Sequence, residues 1–315
     1  MKKTNVHIEL SNVTFDFNEN VTLLGSCFSE NISSKLSESG FNIYSNPFGV
    51  IFNPISISKH IVSAINKADY SDTIIEKSGV YTSWEVNSKV FAYDKKQMIE
   101  ILNERNNKLH EFLKTSKVLF VTFGSAWVYE LNETNKIVAN CHKFSKSNFS
   151  KRLLAFEETV NSWEYSLDLL KSINPDIKIV FTVSPVRHVR DGLIDNSRSK
   201  ATLINVIHDL CCKRNDTFYF PAYELVLDEL RDYAYFGADG VHPNSFAIDH
   251  VWSKFQFCFL KKETINILNE YINLKKAVNH HPIHEKSIEN QQFKKKLKSD
   301  ILAFNKKYAQ YNFKF

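Results

Sequence analysis

Four short, nearly continuous runs of apolar and β-branched residues stand out along the chain. They cover residues 21–24, 118–123, 177–183 and 217–220. Runs of this kind are typical of strands that are buried on both faces, as in a parallel sheet. The pattern therefore predicts four strands in the centre of the fold.

Between these runs, apolar residues recur with the spacing of an amphipathic helix. After the first run, Phe28, Ile32 and Leu36 recur every fourth residue, and Gly40 is a typical helix stop. Further stripes consist of Trp163, Leu167 and Leu170, and of Leu203, Val206, Ile207 and Leu210. Strands that alternate with helices predict an α/β fold with a parallel sheet covered on both faces. In such folds, functional residues collect in loops at the carboxyl ends of the strands.

The remaining segments indicate how the chain divides into domains. Residues 55–116 and 125–160 must hold helices, small hairpins or a cap, and no linker rich in Pro, Gly or Ser splits the chain. We predict one α/β domain over residues 1–265 and a basic helical extension over residues 266–315. One face of the extension carries Phe293, Leu297, Ile301, Phe304 and Tyr308. We expect this face to dock on the body; the alternative is a weak contact with a partner or an anionic surface.

Charge and composition narrow the function classes. The formal net charge is +5, and the eight Lys and three acidic residues from Glu285 onward account for all of it. The neutral body gives no electrostatic reason to expect a nucleic-acid partner. The first residues lack the apolar core of a signal peptide, and no window reaches the roughly 20 apolar residues of a membrane span. Together with the odd count of 5 Cys, this predicts a cytoplasmic protein with reduced thiols and no integral membrane segment.

A cluster of histidines lies near the C-terminus. The segment NHHPIH contains His280, His281 and His284, but no Cys or acidic residue stands at the spacing of a metal site. We expect a solvated loop here, and we predict neither a metal nor another cofactor.

The segment GSCF, residues 25–28, directly follows the first predicted strand. A Gly between a strand and a helix creates a corner at which backbone N–H groups point outward and favour negative charge. Cys27 is expected to have a lowered pKa there and to be a good nucleophile. Ser26 is suited to the N-cap, where its hydroxyl would accept a backbone N–H. Taken alone, a capping Ser and a small buried Cys explain the segment at least as well as catalysis does.

The segment FGADGVHPN, residues 236–244, follows the last predicted strand and contains Asp239 and His242. An acid at this spacing can hold a His in one tautomer and stabilise its charged form, so that the His can take a proton from a nucleophile. The spacing alone is weak evidence, but a nucleophile near the start of the chain and Asp-x-x-His near its end form a known catalytic layout.

A longer series of motifs resembles the GSCFA family, a branch of the SGNH/GDSL hydrolase-like superfamily. In chain order the motifs are GSCFS (25–29, with Ser29 in place of the usual Ala), NPFGVIFNP (46–54), TFGSAWVY (122–129), ANCHK (139–143), TVSPVRH (182–188), SK (199–200), YFPAYE (219–224) and LRDYAYFGADGVHP (230–243). The resemblance covers about residues 20–260. It implies a three-layer α/β/α sandwich with a central parallel sheet in flavodoxin-like order.

The resemblance also implies a nucleophile–His–Asp triad, in which Asp239 and His242 match the last element. If Gly25 aligns with the Gly of the superfamily's Gly-Asp-Ser, Cys27 takes the place of the nucleophile. If the residue directly after the strand-ending Gly is catalytic, Ser26 is the nucleophile. The register of the Gly and the helix N-terminus favour Cys27, whereas the usual residue type favours Ser26.

In the superfamily, a Gly and an Asn from later strand ends help to form the oxyanion hole. Gly49 is similar to the Gly of the second block, and Gly124 stands where the third block carries Gly-x-Asn. Ala126 takes the place of that Asn and has no donor. Asn46, Asn140 or backbone amides would then have to stabilise an oxyanion.

Three further residues lie where strand-end loops could meet the site. His142 and His188 are candidates for substrate contact, and the alternative is a structural or surface role. Arg187 could bind an anionic group of the substrate through bidentate hydrogen bonds, and the alternative is an internal salt bridge.

Three functions are compatible with these features. The first is an esterase or acyltransferase that acts on an O-acyl group, most simply acetyl, of a carbohydrate or glycoconjugate precursor. The second is a non-catalytic module that binds a carbohydrate or glycolipid, which the missing oxyanion Asn favours. The third is a partner-binding protein of a cell-envelope assembly that uses the basic C-terminal helix.

Overall fold

The structure, a computed structural model, describes residues 4–8, 13–280 and 287–315. Its strands are β1 (Asn20–Gly25), β2 (Ile43–Ser45), β3 (Ile74–Lys77), β4 (Val80–Ser83), β5 (Ser116–Phe123), β6 (Trp127–Leu131), β7 (Ile137–Val138), β8 (Phe149–Leu153), β9 (Lys178–Val183) and β10 (Thr217–Tyr219). Its helices are α1 (Cys27–Glu38), α2 (Pro54–Ile65), α3 (Lys95–Thr115), α4 (Phe156–Ile173), α5 (Leu193–Lys213), α6 (Ala222–Glu224), α7 (Ser245–Phe259), α8 (Lys262–Val278) and α9 (Ile288–Lys307). Among the described residues, no helix combines the length and the apolar character that a membrane span requires.

Five of the strands form a parallel sheet in the order β10-β9-β5-β1-β2. Counted along the chain, these strands have the order 2-1-3-4-5, which is the flavodoxin-like order. The four predicted runs coincide with β1, β5, β9 and β10, so the α/β prediction is confirmed. Strand β2 was not predicted, because its three residues lie at the sheet edge and are only half-buried.

Alternating side chains of the central strands contribute to the two halves of the core. In β5, Leu119 and Val121 belong to one half, and Val118 and Phe120 belong to the other. The first half is covered by α2, α3, α4 and α5, and the second by α1, α7 and α8. The apolar stripes predicted for α1, α4 and α5 are buried in these layers. The domain is therefore the three-layer α/β/α sandwich that the resemblance implies.

Two small antiparallel sheets lie in the long segments between the parallel strands. β3 and β4 form a hairpin, and β7, β6 and β8 form a three-stranded sheet. The loop after β4 is tied to the loop after β2, since Asn87 donates its backbone N–H to Phe48 and its side-chain amide to Val50 over 2.9 and 3.0 Å. This loop therefore borders the carboxyl end of the parallel sheet.

The predicted C-terminal helix is present as α9, but only part of its apolar stripe is buried against the rest of the protein. Phe304 and the later Phe313 are buried against Tyr271 of α8. Phe293, in the first half of α9, is 42% exposed. The division at residue 265 and a partner contact through the basic face of α9 stay predictions.

Candidate active site

A sharp corner joins β1 to α1 at the carboxyl end of the sheet. Gly25 ends β1 with a φ of +131°, and a Cβ atom at this position would lie 2.2 Å from the carbonyl oxygen of Thr122 in the adjacent strand β5. A Gly is required because it alone tolerates both this backbone conformation and this close approach. The N–H of Gly25 donates to Oδ1 of Asn46 over 2.8 Å, so the loop after β2 holds the corner in place.

Ser26 and Cys27 differ in their access to a substrate. Ser26 is 0% exposed, and its buried Oγ makes no hydrogen bond within the described part of the chain. Ser26 occupies the N-cap of α1, but its side chain caps no backbone N–H, so the expected capping hydrogen bond is absent from the described contacts. Cys27, the first residue of α1, is partly exposed. Accessibility therefore favours Cys27 as the nucleophile.

The electrostatic surroundings of Cys27 differ from those that the sequence predicts. Burial of the thiol raises its pKa, and the nearby Glu30 raises it further. The backbone N–H of Cys27, the ammonium of Lys200 and the backbone N–H of Phe28 lower the pKa, but by less. The helix N-terminus acts in the expected direction, yet desolvation outweighs it, and the predicted lowering of the Cys27 pKa is wrong.

Asp239 and His242 form the pair that their spacing predicts. Nδ1 of His242 lies 2.7 Å from Oδ2 of Asp239, whose Oδ1 accepts the backbone N–H groups of Val241 and His242 over 2.9 and 3.0 Å. These hydrogen bonds, with that from the His242 side chain first, lower the pKa of Asp239 to about 2. The His242 side chain is 56% exposed, and its Nε2 makes no hydrogen bond to a described residue. The imidazole is thus oriented by a carboxylate and keeps its second nitrogen available.

The loop with this pair is attached to the loop after β9. The backbone N–H of Arg187 donates to the carbonyl of Val241 over 3.3 Å. The Arg187 guanidinium lies over the rings of Tyr233 and Phe236, at 5.0 and 4.5 Å from their centroids. It forms no ion pair with a described carboxylate, so the alternative of an internal salt bridge is not found. Its N–H groups are available to an anion.

His188, from the same loop, interacts electrostatically with Lys200 and His242. Burial lowers its pKa to about 4, and the charges of Lys200 and His242 contribute in the same direction. Its ring packs edge-on against Phe52, and its buried Nε2 has no hydrogen-bond partner among the described residues. His188 is therefore a neutral imidazole whose Nε2 is unsatisfied among the described residues.

Lys200 is a site residue that was not among the candidates from the sequence. It lies in α5, is 1% exposed, and donates from Nζ to the carbonyls of Gly124 and Ser184, both over 2.7 Å. A recognisable signal exists in the sequence. Lys200 precedes Leu203 and Ile207 by three and seven residues, so it falls on the buried face of the helix.

The two glycines assigned to the oxyanion hole use their N–H groups elsewhere. Gly49 donates to the carbonyl of Asn46, and Gly124 donates to the carbonyl of Phe52, both over 2.8 Å. Neither N–H is free for an oxyanion, which corrects the expectation for both. Asn46 instead offers a donor: its Oδ1 accepts from Gly25, and its buried Nδ2 has no partner in the described part of the chain. Gly25, Asn46 and Gly49 line a small cavity at the corner.

Asn140 and His142 lie apart from this cluster. Oδ1 of Asn140 accepts the backbone N–H of His142, and Nε2 of His142 lies 2.8 Å from the carbonyl oxygen of Ser83 at the end of β4. Within the described ranges, neither residue forms a hydrogen bond, ion pair or ring contact with the corner or with His242. The structure thus gives no support for their role in substrate binding.

The structure describes only part of the histidine cluster near the C-terminus, for which no metal site was predicted. His281 and His284 lie outside the described residues, and the ring of His280 packs near Phe293. Among the described residues, no group of His, Cys, Asp and Glu side chains is arranged to hold a metal ion.

The fold of the chain is similar to those of solved structures, and its sequence matches a family model. Among solved structures, the chain is similar to a family 3 carbohydrate esterase from Clostridium thermocellum, with 9% identity and a TM-score of 0.34 over 80% of this chain and 97% of that one. It is also similar to a family 3 carbohydrate esterase from Talaromyces cellulolyticus, with 8% identity and a TM-score of 0.36 over 80% of this chain and 99% of that one. A comparison with curated proteins finds no matching sequence. The sequence model of the GSCFA family matches residues 20–255, from β1 through the Asp239–His242 loop, and the chain therefore belongs to the GSCFA family.

Proposed function

We propose that the protein is an acyl esterase or acyltransferase that acts on an O-acyl group, most simply acetyl, of a carbohydrate or glycoconjugate precursor. One observation supports this most. A partly exposed Cys27 at the N-terminus of α1 and an oriented His242 with an available Nε2 occupy loops at the same edge of the parallel sheet. A nucleophile and a carboxylate-held imidazole are the components of covalent acyl transfer.

In the first half-reaction, Sγ of Cys27 loses its proton and attacks the acyl carbon. The tetrahedral oxyanion collapses, the bond to the alkoxide breaks, the alkoxide takes up a proton, and a thioester remains on Cys27. In the second half-reaction, water or an acceptor hydroxyl attacks the thioester and its proton passes to Nε2 of His242. Asp239 stabilises the resulting imidazolium. Hydrolysis and transfer differ only in the acceptor.

The oxyanion requires donors, and the chain offers three beside the corner. They are the backbone N–H groups of Cys27 and Phe28 in the first turn of α1, and Nδ2 of Asn46, which is as buried as Oγ of Ser26 and would reach an oxyanion only after a shift of the loop after β2. The first N–H groups of a helix have no intrahelical acceptor, and they point toward negative charge in front of the helix. This set would replace the glycine amides and the missing Asn.

The position of Arg187 supports a substrate that carries an anionic group. A guanidinium that lies over two aromatic rings and has no carboxylate partner in the described part of the chain is suited to bidentate hydrogen bonds with phosphate. In the cytoplasm, the location that the sequence features predict, a nucleotide-linked or lipid-linked sugar precursor would supply that phosphate.

Arg187→Gln is expected to weaken the binding of a phosphate-bearing ligand and to spare the chemistry. With UDP as a competitive inhibitor of p-nitrophenyl acetate hydrolysis, the inhibition constant should rise about tenfold or more, because a charge-assisted bidentate contact is lost. Turnover of the neutral ester without UDP should change by less than about threefold. An equal inhibition constant in both proteins would remove Arg187 from substrate binding.

The second candidate is the non-catalytic binding module. The observation that favours it is the engagement of both glycine N–H groups, together with Ala126, whose own N–H donates to Oγ of Ser199 over 2.7 Å. A binding module predicts saturable binding of a sugar that survives the combined replacement of Ser26 and Cys27 by Ala, without turnover in the wild type.

His242→Ala is expected to lower the turnover of p-nitrophenyl acetate by on the order of 10²- to 10⁴-fold, because the general base is removed. Asp239→Asn should lower turnover in the same direction, since the carboxylate that orients the imidazole is lost. His280→Ala, which replaces an exposed His outside the site, is the matched control and should retain full activity. Full activity in His242→Ala, with an unchanged thermal unfolding midpoint, would contradict the proposed mechanism.

A further inference from the structure

Five partly exposed aromatic side chains lie next to one another on one side of the protein, and the proposed mechanism uses none of them. We call them the aromatic strip, and in spatial order they are Phe144, Trp84, Phe149, Tyr129 and Trp127. The ring centroid of Trp84 lies 4.8 Å from that of Phe144 and 5.6 Å from that of Phe149. The Phe149 centroid lies 6.5 Å from that of Tyr129, which is 41% exposed. These contacts make the strip continuous from Phe144 to Tyr129.

Strands β6 and β8 extend the strip to Trp127. Trp127 and Tyr129 are two residues apart in β6, so their side chains lie on the same face of the small sheet. Lys151 of β8 is the register partner of Tyr129, and its ammonium lies 4.8 Å from the Trp127 ring centroid and 5.8 Å from that of Tyr129. Val128, on the opposite face, is buried. One face of the sheet therefore belongs to the core, and the other leaves the aromatic rings partly open to solvent.

The Trp127 end of the strip borders the candidate active site. The indole Nε1 of Trp127 donates to the carbonyl of Asp195 over 3.1 Å, and the Lys151 ammonium contacts the carboxylate of Asp191. Both aspartates follow Arg187 closely, in the end of the loop after β9 and in the first turn of α5. A chain molecule that reaches Arg187 can therefore continue along the aromatic strip.

Basic side chains flank the strip. Residues 139–152 contain three Lys and one Arg but no acidic residue. The last two of these basic residues are paired with carboxylates. The other two, Lys143 and Lys146, are exposed and form no ion pair among the described residues. The ammonium of Lys77 lies 4.6 Å from the ring centroid of Phe144. The charge beside the strip is thus complementary to an anionic ligand.

We propose that the aromatic strip binds the chain of an acidic oligosaccharide that extends from the candidate active site. The assignment rests on the proposed function and deepens it, because it extends the carbohydrate substrate from one sugar to several. Aromatic rings offer rigid apolar surface to the C–H face of a pyranose. Lys143 and Lys146 would pair with carboxylates or phosphates along the chain. The neutral body of the protein favours a short acidic glycan over nucleic acid, whose affinity depends on many phosphate contacts.

Tryptophan fluorescence of the full chain tests the proposal, with tetragalacturonate as the probe. Trp84 and Trp127 belong to the strip, whereas Trp163 and Trp252 are buried in the core. Tetragalacturonate should therefore change the emission of the wild type in a saturable way. Tyr129→Ala should raise the dissociation constant about fivefold or more, because a stacking surface is lost.

Tyr165→Ala is the matched control, since Tyr165 is a 59% exposed Tyr on α4, outside the strip, and this variant should bind as the wild type does. Equal dissociation constants for the wild type and Tyr129→Ala, or no saturable signal in the wild type, would overturn the proposal.

Charge and ligand class are tested with the same signal. The combined replacement Lys143→Gln and Lys146→Gln should weaken tetragalacturonate binding about tenfold, because two charge-assisted contacts are lost. The neutral cellotetraose should bind the wild type at least about tenfold more weakly than tetragalacturonate does. Equal binding of the two sugars would overturn the assignment of an acidic chain. Binding of octathymidylate that is tighter than that of tetragalacturonate and is weakened by Tyr129→Ala would make the strip a nucleic-acid surface and would also overturn it.

Turnover of p-nitrophenyl acetate, measured on the same wild-type preparation, separates this proposal from the proposed function. Tetragalacturonate binding that depends on Tyr129, without turnover of the ester, would mean that the proposed function fails while the strip remains a glycan-binding surface. Turnover of the ester without binding of tetragalacturonate would leave the proposed function intact and would overturn the assignment of the strip.

Discussion

Cys27→Ala is expected to abolish acyl-enzyme formation, whereas Ser26→Ala is expected to leave it intact. The two side chains are neighbours in sequence, but only the Cys27 side chain is partly exposed, and Oγ of Ser26 is fully buried. Loss of a covalent nucleophile lowers turnover by on the order of 10⁴- to 10⁶-fold. Ser26→Ala removes a hydroxyl that caps no helix N–H and has no partner in the described residues, so stability should stay within about 1 kcal/mol of the wild type.

Intact mass and peptide mapping after brief exposure to p-nitrophenyl acetate measure this difference directly. The acetyl adduct should appear on the peptide that contains Gly25–Phe28 in the wild type and in Ser26→Ala, and it should be absent in Cys27→Ala. An adduct that persists in Cys27→Ala and disappears in Ser26→Ala would make Ser26 the nucleophile. It would also require the β1–α1 corner to open, because Ser26 has no exposed surface in the observed conformation.

The fold could be predicted from the sequence where burial is complete and regular. β1, β5 and β9 are buried along nearly their whole length, and the stripe in α1 repeats every fourth residue up to Gly40. The edge strand β10 is only partly buried, but its apolar run continues into the buried Phe220. The prediction was incomplete for β2, whose residues are half-buried at an edge. The apolar stripe of α9 is present in the sequence, but Phe293 is exposed in the structure. Periodicity predicts which face of a helix is apolar, but it does not predict whether another part of the protein covers that face.

The site was predictable where its geometry is local. Asp239 and His242 are three residues apart in one loop, so their hydrogen bond follows from spacing. A pKa that depends on how deeply a group is buried could not be predicted from the sequence. The pKa of Cys27 is raised and not lowered, because burial of the thiol outweighs the effect of the helix N-terminus. Lys200 was missed because its partners are backbone carbonyls of distant strand ends, which leave no side-chain signature.

Gly25→Ala is expected to produce the largest loss of stability among single substitutions at the site. The new methyl group would have to share space with the Thr122 carbonyl oxygen at 2.2 Å, and both atoms belong to residues in the centre of the sheet. Neither can move without breaking the pairing of β1 with β5, so a cost of about 3 kcal/mol or more is expected from overpacking and left-handed strain together. Gly79→Ala is the matched control, since Gly79 also has a positive φ, of +78°, but no described atom lies within 4 Å of the position that its new methyl group would take.

Urea unfolding of the two variants separates the cost of overpacking against Thr122 from the cost of backbone strain. Gly79→Ala should lose about 1–2 kcal/mol through backbone strain alone, and Gly25→Ala should lose clearly more and should also lose acyl-enzyme formation. The reason for the second loss is that Asn46 and the first turn of α1 are held in place through the Gly25 corner. If Gly25→Ala were no less stable than Gly79→Ala and still formed the acyl-enzyme, the close approach of β1 to Thr122 would not be what positions Cys27, and the role of the corner in catalysis would have to be abandoned.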